Sequence, residues 1–144
     1  MPITVATVRD LQSAEYLKTL ALGEGDVARA LPLWRAACDL DPNSSTLVTH
    51  LGHGLLDARR HQEAIGVLLP GLTRWPRHVH LSNLLGVTLF ELGHARDALR
   101  LFEHCLTLDP EYPAAAQSIA NARKLLKKSR PATKGVRAGI EPTD

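Results

Sequence analysis

Three prolines, Pro42, Pro76 and Pro110, follow one another at intervals of 34 residues and set a repeating register along the chain. Three columns in this register carry apolar residues in every copy: Leu17, Leu51 and Leu85; Ala30, Ala64 and Ala98; and Trp34, Leu68 and Phe102. A period of roughly 20 to 50 residues is typical of solenoids, in which each copy is a supersecondary unit that packs on its neighbours. The chain is therefore predicted to fold as a stack of three similar units.

Each unit contains two segments whose apolar residues recur at the three- and four-residue spacing of amphipathic helices. In the third copy these residues are Leu81, Leu84, Leu85, Leu89 and Leu92, followed by Ala98, Leu101, Phe102, Cys105 and Leu106. Aromatic residues make up only 4% of the chain, and the abundant Leu and Ala favour helices over strands. The proline that closes each copy is expected to end its second helix. The predicted fold class is all-α.

The turns and one interior proline predict local departures from ideal helices. Gly25 and Gly93 lie in the turns of the first and third copies, where a positive φ is expected as a helix ends. The second copy has no glycine in its turn at residues 57–60. Pro70 falls deep in the second helix of the second copy, and a kink or a shortened helix is expected there.

The period, the helix pairs and the closing proline resemble the tetratricopeptide repeat (TPR). The residues that carry the resemblance are Leu51-Gly52, Leu85-Gly86, Gln62-Glu63-Ala64, Asp97-Ala98 and the two Leu-Asp-Pro strings. The resemblance implies a right-handed α–α superhelix of three helix pairs with a C-terminal capping helix. The expected divisions are an N-terminal extension at 1–10, repeats at 11–44, 45–78 and 79–112, a capping helix at 113–129 and a disordered basic tail at 130–144.

In this family, ligands are mostly contacted by the first helix of each pair, on the concave face opposite the core. The matching positions here form the predicted partner groove: Glu15, Thr19, Leu22, Thr49, His53, Leu56, His80, Asn83, Val87, Phe90, Gln117 and Asn121. Leu22, Leu56 and Phe90 share one column of the register. They predict either an apolar stripe along the groove or half-buried packing against the next repeat.

Charged residues in the groove bear on the kind of ligand. TPR domains that bind the acidic tails of heat-shock chaperones use Lys, Arg and Asn at set groove positions. Here those positions carry Glu15, Thr19, His50, His80 and Leu84. The expected ligand is therefore neutral or basic and apolar.

Histidine is frequent in this chain, with seven residues. His50, His53 and His80 could face one another from adjacent helices, which leaves solvated histidines, a zinc site and pH-sensitive partner binding as interpretations. The spacing matches no strong metal motif, and the chain contains no phosphate-binding loop, nucleophile elbow or CxxC pair. We predict no catalytic residue, metal or cofactor, and a chain that is not an enzyme.

The predicted function is protein binding: an adaptor, scaffold or chaperone-like module that holds an extended or helical segment of another protein. Alternatives are a self-assembling scaffold that forms homo-oligomers and a secretion-type chaperone, since the repeat number and chain size are similar to type III secretion chaperones. Two cysteines outside any CxxC, and an opening segment without a signal peptide, favour the cytoplasm.

Charge is distributed unevenly, although the net charge is only +2. The segment Met1–Ala122 has 10 Lys/Arg and 13 Asp/Glu, whereas Arg123–Asp144 has 7 Lys/Arg and 2 Asp/Glu. This basic end predicts at most weak contact with an anionic surface, or entry into the groove of another copy. It has no aromatic residue for base stacking, and no specific nucleic-acid binding is expected.

Overall fold

The computed structural model describes residues 13–129. The expected N-terminal extension at 1–10 and the expected basic tail at 130–144, with its contacts to anionic surfaces or another copy, lie outside the described residues. Residues 13–129 form seven α-helices and no strand, so the all-α prediction is confirmed. The helices are α1 Ala14–Gly23, α2 Val27–Leu40, α3 Ser45–Asp57, α4 His61–Arg74, α5 Val79–Glu91, α6 Ala95–Leu108 and α7 Ala115–Lys128.

The helices stack in the order in which they occur along the chain. Each helix packs on the next, while α3 also packs on α5 and α5 on α7. Short turns make each pair antiparallel, so α3 and α5 point the same way and lie side by side. This arrangement places the first helices of successive pairs on one face of the stack.

The core follows the columns of the 34-residue register. Trp34, Leu68 and Phe102 occupy one column on α2, α4 and α6, and their exposed fractions are 6%, 0% and 1%. Gly52 on α3 lies directly against the side chain of Leu68 and has no room for a Cβ atom. Close approach of α3 and α4 therefore depends on glycine in the first helix of this pair.

The turns of the second and third pairs end their first helix in the same way. The amide of Arg60 donates to the carbonyl of Leu55 (2.9 Å), and that of His94 donates to Leu89 (2.8 Å). Such a turn needs a residue at positive φ. Gly93 supplies it with φ 89°, and Arg59, one period earlier, adopts φ 62° without being glycine.

The first turn differs, and the expected positive φ at Gly25 is wrong. Here α1 ends at an extended Glu24, with φ −81° and ψ 126°. The Asp26 side chain then accepts from the amide of Ala28 (2.9 Å) and begins α2. An extended connection with an Asp N-cap replaces the left-handed turn.

Pro70 does not shorten α4, so that part of the expectation is wrong. The helix runs for 14 residues, as α2 and α6 do. Pro70 is exposed, while Leu68 and Gly71 point into the core. The carbonyl that loses its donor belongs to the exposed Gly66, where water can replace the missing amide.

Both cysteines are free thiols, with Cys105 buried and Cys38 half-buried. Burial, reinforced by Asp39, raises the pKa of Cys38 to about 11. Burial also raises the pKa of Cys105 above its usual range. Both therefore stay protonated at neutral pH.

Among residues 13–129, no helix is both long and apolar enough to cross a bilayer.

Candidate functional site

A cleft of about 890 Å³ lies between α3 and α5. Its walls come from these two helices, from the turn that follows α3, and from Tyr112 in the segment between α6 and α7. It contains six residues of the predicted partner groove, namely Thr49, His53, Leu56, His80, Asn83 and Val87. The first helices of the second and third pairs thus share one cleft.

The other six predicted residues lie outside this cleft. Glu15 and Thr19 are exposed on α1, and Gln117 donates to Asn121 (2.9 Å) on the surface of α7. Leu22, 58% exposed, lines a smaller hollow of about 200 Å³ that adjoins the cleft. The assignment of these residues to a partner stays a prediction.

The column of Leu22, Leu56 and Phe90 does not line the cleft as one stripe. Leu56 lies in its wall. Phe90 is half-buried and packs against the cluster of Ala98 and Phe102. Of the two interpretations of this column, packing against neighbouring helices describes Phe90.

The side-chain oxygen Oδ1 of Asn83 is buried in the cleft wall and has no hydrogen-bond partner. It is the one such side-chain atom among residues 13–129. An unsatisfied buried acceptor costs roughly 1–3 kcal/mol. A ligand that donates an N–H or O–H to this oxygen would recover that free energy.

Aromatic side chains close the end of the cleft at the start of α5. Nδ1 of His80 and the hydroxyl of Tyr112 are 3.0 Å apart, and the rings of His78 and His80 are 6.0 Å apart. Burial raises the pKa of Tyr112, and Cys105 and Asp109 raise it further. Sequence reasoning missed Tyr112, although it is the register equivalent of Ser44 and His78.

Carboxylates mark the opposite end of the cleft. Asp57 Oδ2 lies 3.1 Å from Nδ1 of His53, and Glu91 Oε2 lies 2.6 Å from Nε2 of His61 on α4. Arg59 lies at the same end. Each carboxylate in the lining is therefore in contact with an imidazole.

Two histidines of the cleft have pKa values below the ordinary value for histidine. His50 stacks on Trp34, with ring centroids 4.5 Å apart. Burial lowers the pKa of His50, as do Lys18 and His53. Burial and His80 lower the pKa of His78. Nδ1 of His78 accepts from the amide of Leu81 (3.3 Å) and caps α5.

The zinc interpretation required three imidazoles that converge on one point. Within the described range 13–129, no group of three or more His, Cys, Asp or Glu side chains is placed to hold a metal ion. His50, His53 and His80 instead contact Trp34, Asp57 and Tyr112, respectively. These contacts orient the imidazoles along the wall of the cleft.

The stack of helix pairs places the chain in the class of α-helical repeat domains. Comparison with solved structures shows which type of repeat fold it has. No protein-family model and no curated protein matches the chain. The TPR domain of Arabidopsis OM64 has a TM-score of 0.73 and 19% identity, over 80% of this chain and 98% of that one. The first TPR domain of Spaghetti (RPAP3), bound to an HSP90 peptide, has a TM-score of 0.75 and 18% identity, over 79% and 93%.

The MamA protein is also similar, with a TM-score of 0.75 and 21% identity over 93% of this chain and 75% of that one. At these identities the similarity concerns the fold. The chain has the tetratricopeptide-repeat fold, a superhelix of helix pairs, and the resemblance inferred from the 34-residue register is confirmed.

Proposed function

We propose that this chain is a protein-interaction module that holds an extended or helical segment of another protein in the cleft between α3 and α5. The observation that carries the proposal is the buried, unpartnered Oδ1 of Asn83 in the wall of an 890 Å³ cleft. A backbone amide of a bound segment is the donor that this oxygen lacks. The peptide bound by the RPAP3 domain is a precedent for this use of the fold.

The walls of the cleft suit a segment with apolar side chains. Leu56, Leu84 and Val87 contribute apolar surface beside Asn83. Apolar contacts supply most of the binding free energy, while a few placed polar groups fix the orientation of the ligand. The segment would therefore insert an apolar side chain beside the backbone amide that bonds Asn83.

The charges of the cleft argue against an acidic tail as the ligand. His50, His80 and Leu84 occupy positions where chaperone-binding domains are expected to carry Lys, Arg or Asn, and Asp57 and Glu91 add negative charge. A carboxylate-rich ligand would meet repulsion here. We propose a neutral or basic partner, and we place the module as an adaptor or scaffold in the cytoplasm, where free thiols such as Cys38 and Cys105 are typical.

Two matched threonines test the proposal. Thr49 in the cleft donates to the carbonyl of Ser45 (2.7 Å), and the exposed Thr73 on α4 makes the same bond to Leu69 (2.9 Å). In affinity capture with mass spectrometry, Thr49→Arg should lose the bound proteins and Thr73→Arg should keep them, because only the first arginine fills the cleft. The proposal fails if folded Thr49→Arg captures the same proteins as the native chain.

Self-association is a second candidate, favoured by exposed apolar side chains in the first pair. Leu20, Leu22 and Val27 are 41%, 58% and 38% exposed. Exposed apolar patches commonly mark interfaces. Sedimentation of the native chain should show an oligomer that Leu22→Glu dissociates and that Leu69→Glu, on α4, leaves intact. A native chain that sediments as a monomer at high concentration would exclude this candidate.

A further inference from the structure

Four of the seven histidines line the cleft between α3 and α5. His50 and His53 come from α3, and His78 and His80 come from the start of α5. They occupy both walls of the space that a bound segment would fill. Other titratable or charged groups face them from the surrounding elements: Lys18 on α1, Asp57, Arg59, His61 on α4, Glu91 and Tyr112.

The state of these imidazoles decides the sign of the charge in the cleft. When all four are neutral, the lining carries two carboxylates, Asp57 and Glu91, and one guanidinium, Arg59, and is net negative. Each imidazole that takes up a proton adds one cation, and two protonated imidazoles already make the lining net positive, with three cations facing two carboxylates. Histidine is the side chain whose ordinary pKa, about 6.5, allows this change near physiological pH.

The contacts of the carboxylates reinforce this reversal. Asp57 touches His53, and Glu91 touches His61. A neutral imidazole leaves the charge of its carboxylate available to a cation from a ligand. A protonated imidazole supplies a cation of its own at 3.1 Å and 2.6 Å, respectively. In acid, the cation that balances each carboxylate therefore comes from an imidazolium of the protein and no longer from the ligand.

We propose that the cleft holds a segment bearing a Lys or Arg side chain at neutral pH, and releases that segment in mild acid when its imidazoles become protonated. The occupant is chosen by charge complementarity with Asp57 and Glu91. This inference rests on the proposed function, because it assigns ligand chemistry and control to the same cleft. The lowered pKa values of His50 and His78 are consistent with a cleft that is not cationic at neutral pH.

The experiment uses three pools of fluorescent short peptides with random flanking residues and one fixed central residue, which is Lys, norleucine or Glu. Each pool is passed over the immobilised full chain at about pH 7.5 and about pH 5.5. Retention of the Lys pool should exceed that of the Glu pool by about tenfold at the higher pH and should fall by about tenfold at the lower pH. Circular dichroism at both pH values verifies that the chain is folded.

Substitution of the histidines separates a charge effect from a structural one. His53→Gln with His80→Gln removes one imidazole from α3 and one from α5 while keeping polar side chains, and this variant should retain more of the Lys pool at the lower pH than the native chain does. His94→Gln, outside the cleft, should respond to pH as the native chain does. Equal loss of the Lys pool from the double variant and the native chain would overturn the role of these imidazoles.

The outcomes distinguish this inference from the proposed function. Retention of the Lys pool that does not change with pH overturns the acid release. Retention of the norleucine pool in preference to the Lys pool at the higher pH overturns the cationic ligand and leaves the neutral partner of the proposed function in place. Preference for the Glu pool overturns both the cationic ligand and the neutral or basic partner. If no pool is retained at either pH by the folded chain, both proposals fail.

Discussion

Gly86 on α5 faces the ring of Phe102 on α6 so closely that a Cβ atom on Gly86 would lie 2.6 Å from Cε1 of that ring. Gly52 and Leu68 repeat this relationship one period earlier. The first repeat departs from it, since Lys18 stands in the glycine column and Trp34 in the opposite one. Contact between backbone and side chain therefore sets the spacing of the helices in the second and third pairs.

Gly86→Ala is expected to destabilise the protein by about 2 kcal/mol, because the added methyl must displace the buried Phe102 ring. Gly66→Ala in α4 is the control, since a Cβ there meets nothing within 4 Å. That change should stabilise by roughly 0.5–1 kcal/mol through helix propensity. Urea denaturation of both variants measures the difference, and equal effects of the two changes would contradict the packing argument.

Arg59→Gly is expected to stabilise the protein by up to about 1 kcal/mol. A non-glycine residue in the left-handed region costs roughly 1–2 kcal/mol. Glycine removes this cost, but part of the stabilisation is offset because glycine loses more conformational entropy on folding. Arg59 adopts φ 62°, and Gly93, its register equivalent, adopts 89°. The reciprocal Gly93→Ala should destabilise by a similar amount. Thermal melting tests the pair, and a lower melting temperature for Arg59→Gly would show that its φ carries no strain.

His78→Ser is expected to reduce the loss of stability in acid. The pKa of His78 is lowered in the folded chain, so the unfolded chain binds the proton first. The stability that neutral His78 contributes is fully present above about pH 6.5, the pKa of histidine in the unfolded chain. It is lost as the pH falls from that value toward the lower pKa of His78 in the folded chain. Ser44, its register equivalent, caps α3 without titrating, by accepting from the amide of Leu47 (3.2 Å).

Urea denaturation at about pH 7.5 and about pH 5 measures this effect. In acid, the serine cap should contribute roughly 0.5–1 kcal/mol more to the free energy of unfolding than a protonated His78, whose Nδ1 can no longer accept from the amide of Leu81. His94→Gln at the start of α6 is the control, because His94 makes no capping bond from its side chain. It should leave the pH profile of the native chain unchanged. If His78→Ser keeps the native pH profile, the cap does not depend on the protonation of His78.

Cys38 is expected to react slowly with thiol reagents in the folded chain. Its pKa of about 11 leaves about one thiol in a thousand ionised at pH 8. Cys105→Ala isolates Cys38, and it should be tolerated because Ala37 occupies the same column in the first repeat. The absorbance change with an aromatic disulfide reagent should show that Cys38 is modified at least tenfold more slowly in the folded Cys105→Ala variant than in the same variant in denaturant. Equal rates would contradict the raised pKa.

Much of the fold follows from sequence because helical periodicity and the proline spacing are local or strictly periodic signals. They predicted the all-α stack and the TPR resemblance. They were wrong about Gly25, where the extended Glu24 and the capping Asp26 override the expected turn. They gave no sign of the positive φ of Arg59, because the bonds that close that turn impose it on an otherwise unsuitable residue.

The sequence alone determined the 34-residue register and the order of the helices, and it predicted which residues face the groove, since each of these depends on spacing along one chain. Only the tertiary structure decided which of those residues share a cleft. It brought His53, His80 and Asn83 together, added Tyr112, and turned Phe90 toward Phe102. The physical reason is that helix packing sets which faces remain open, and that packing depends on contacts between side chains far apart in sequence.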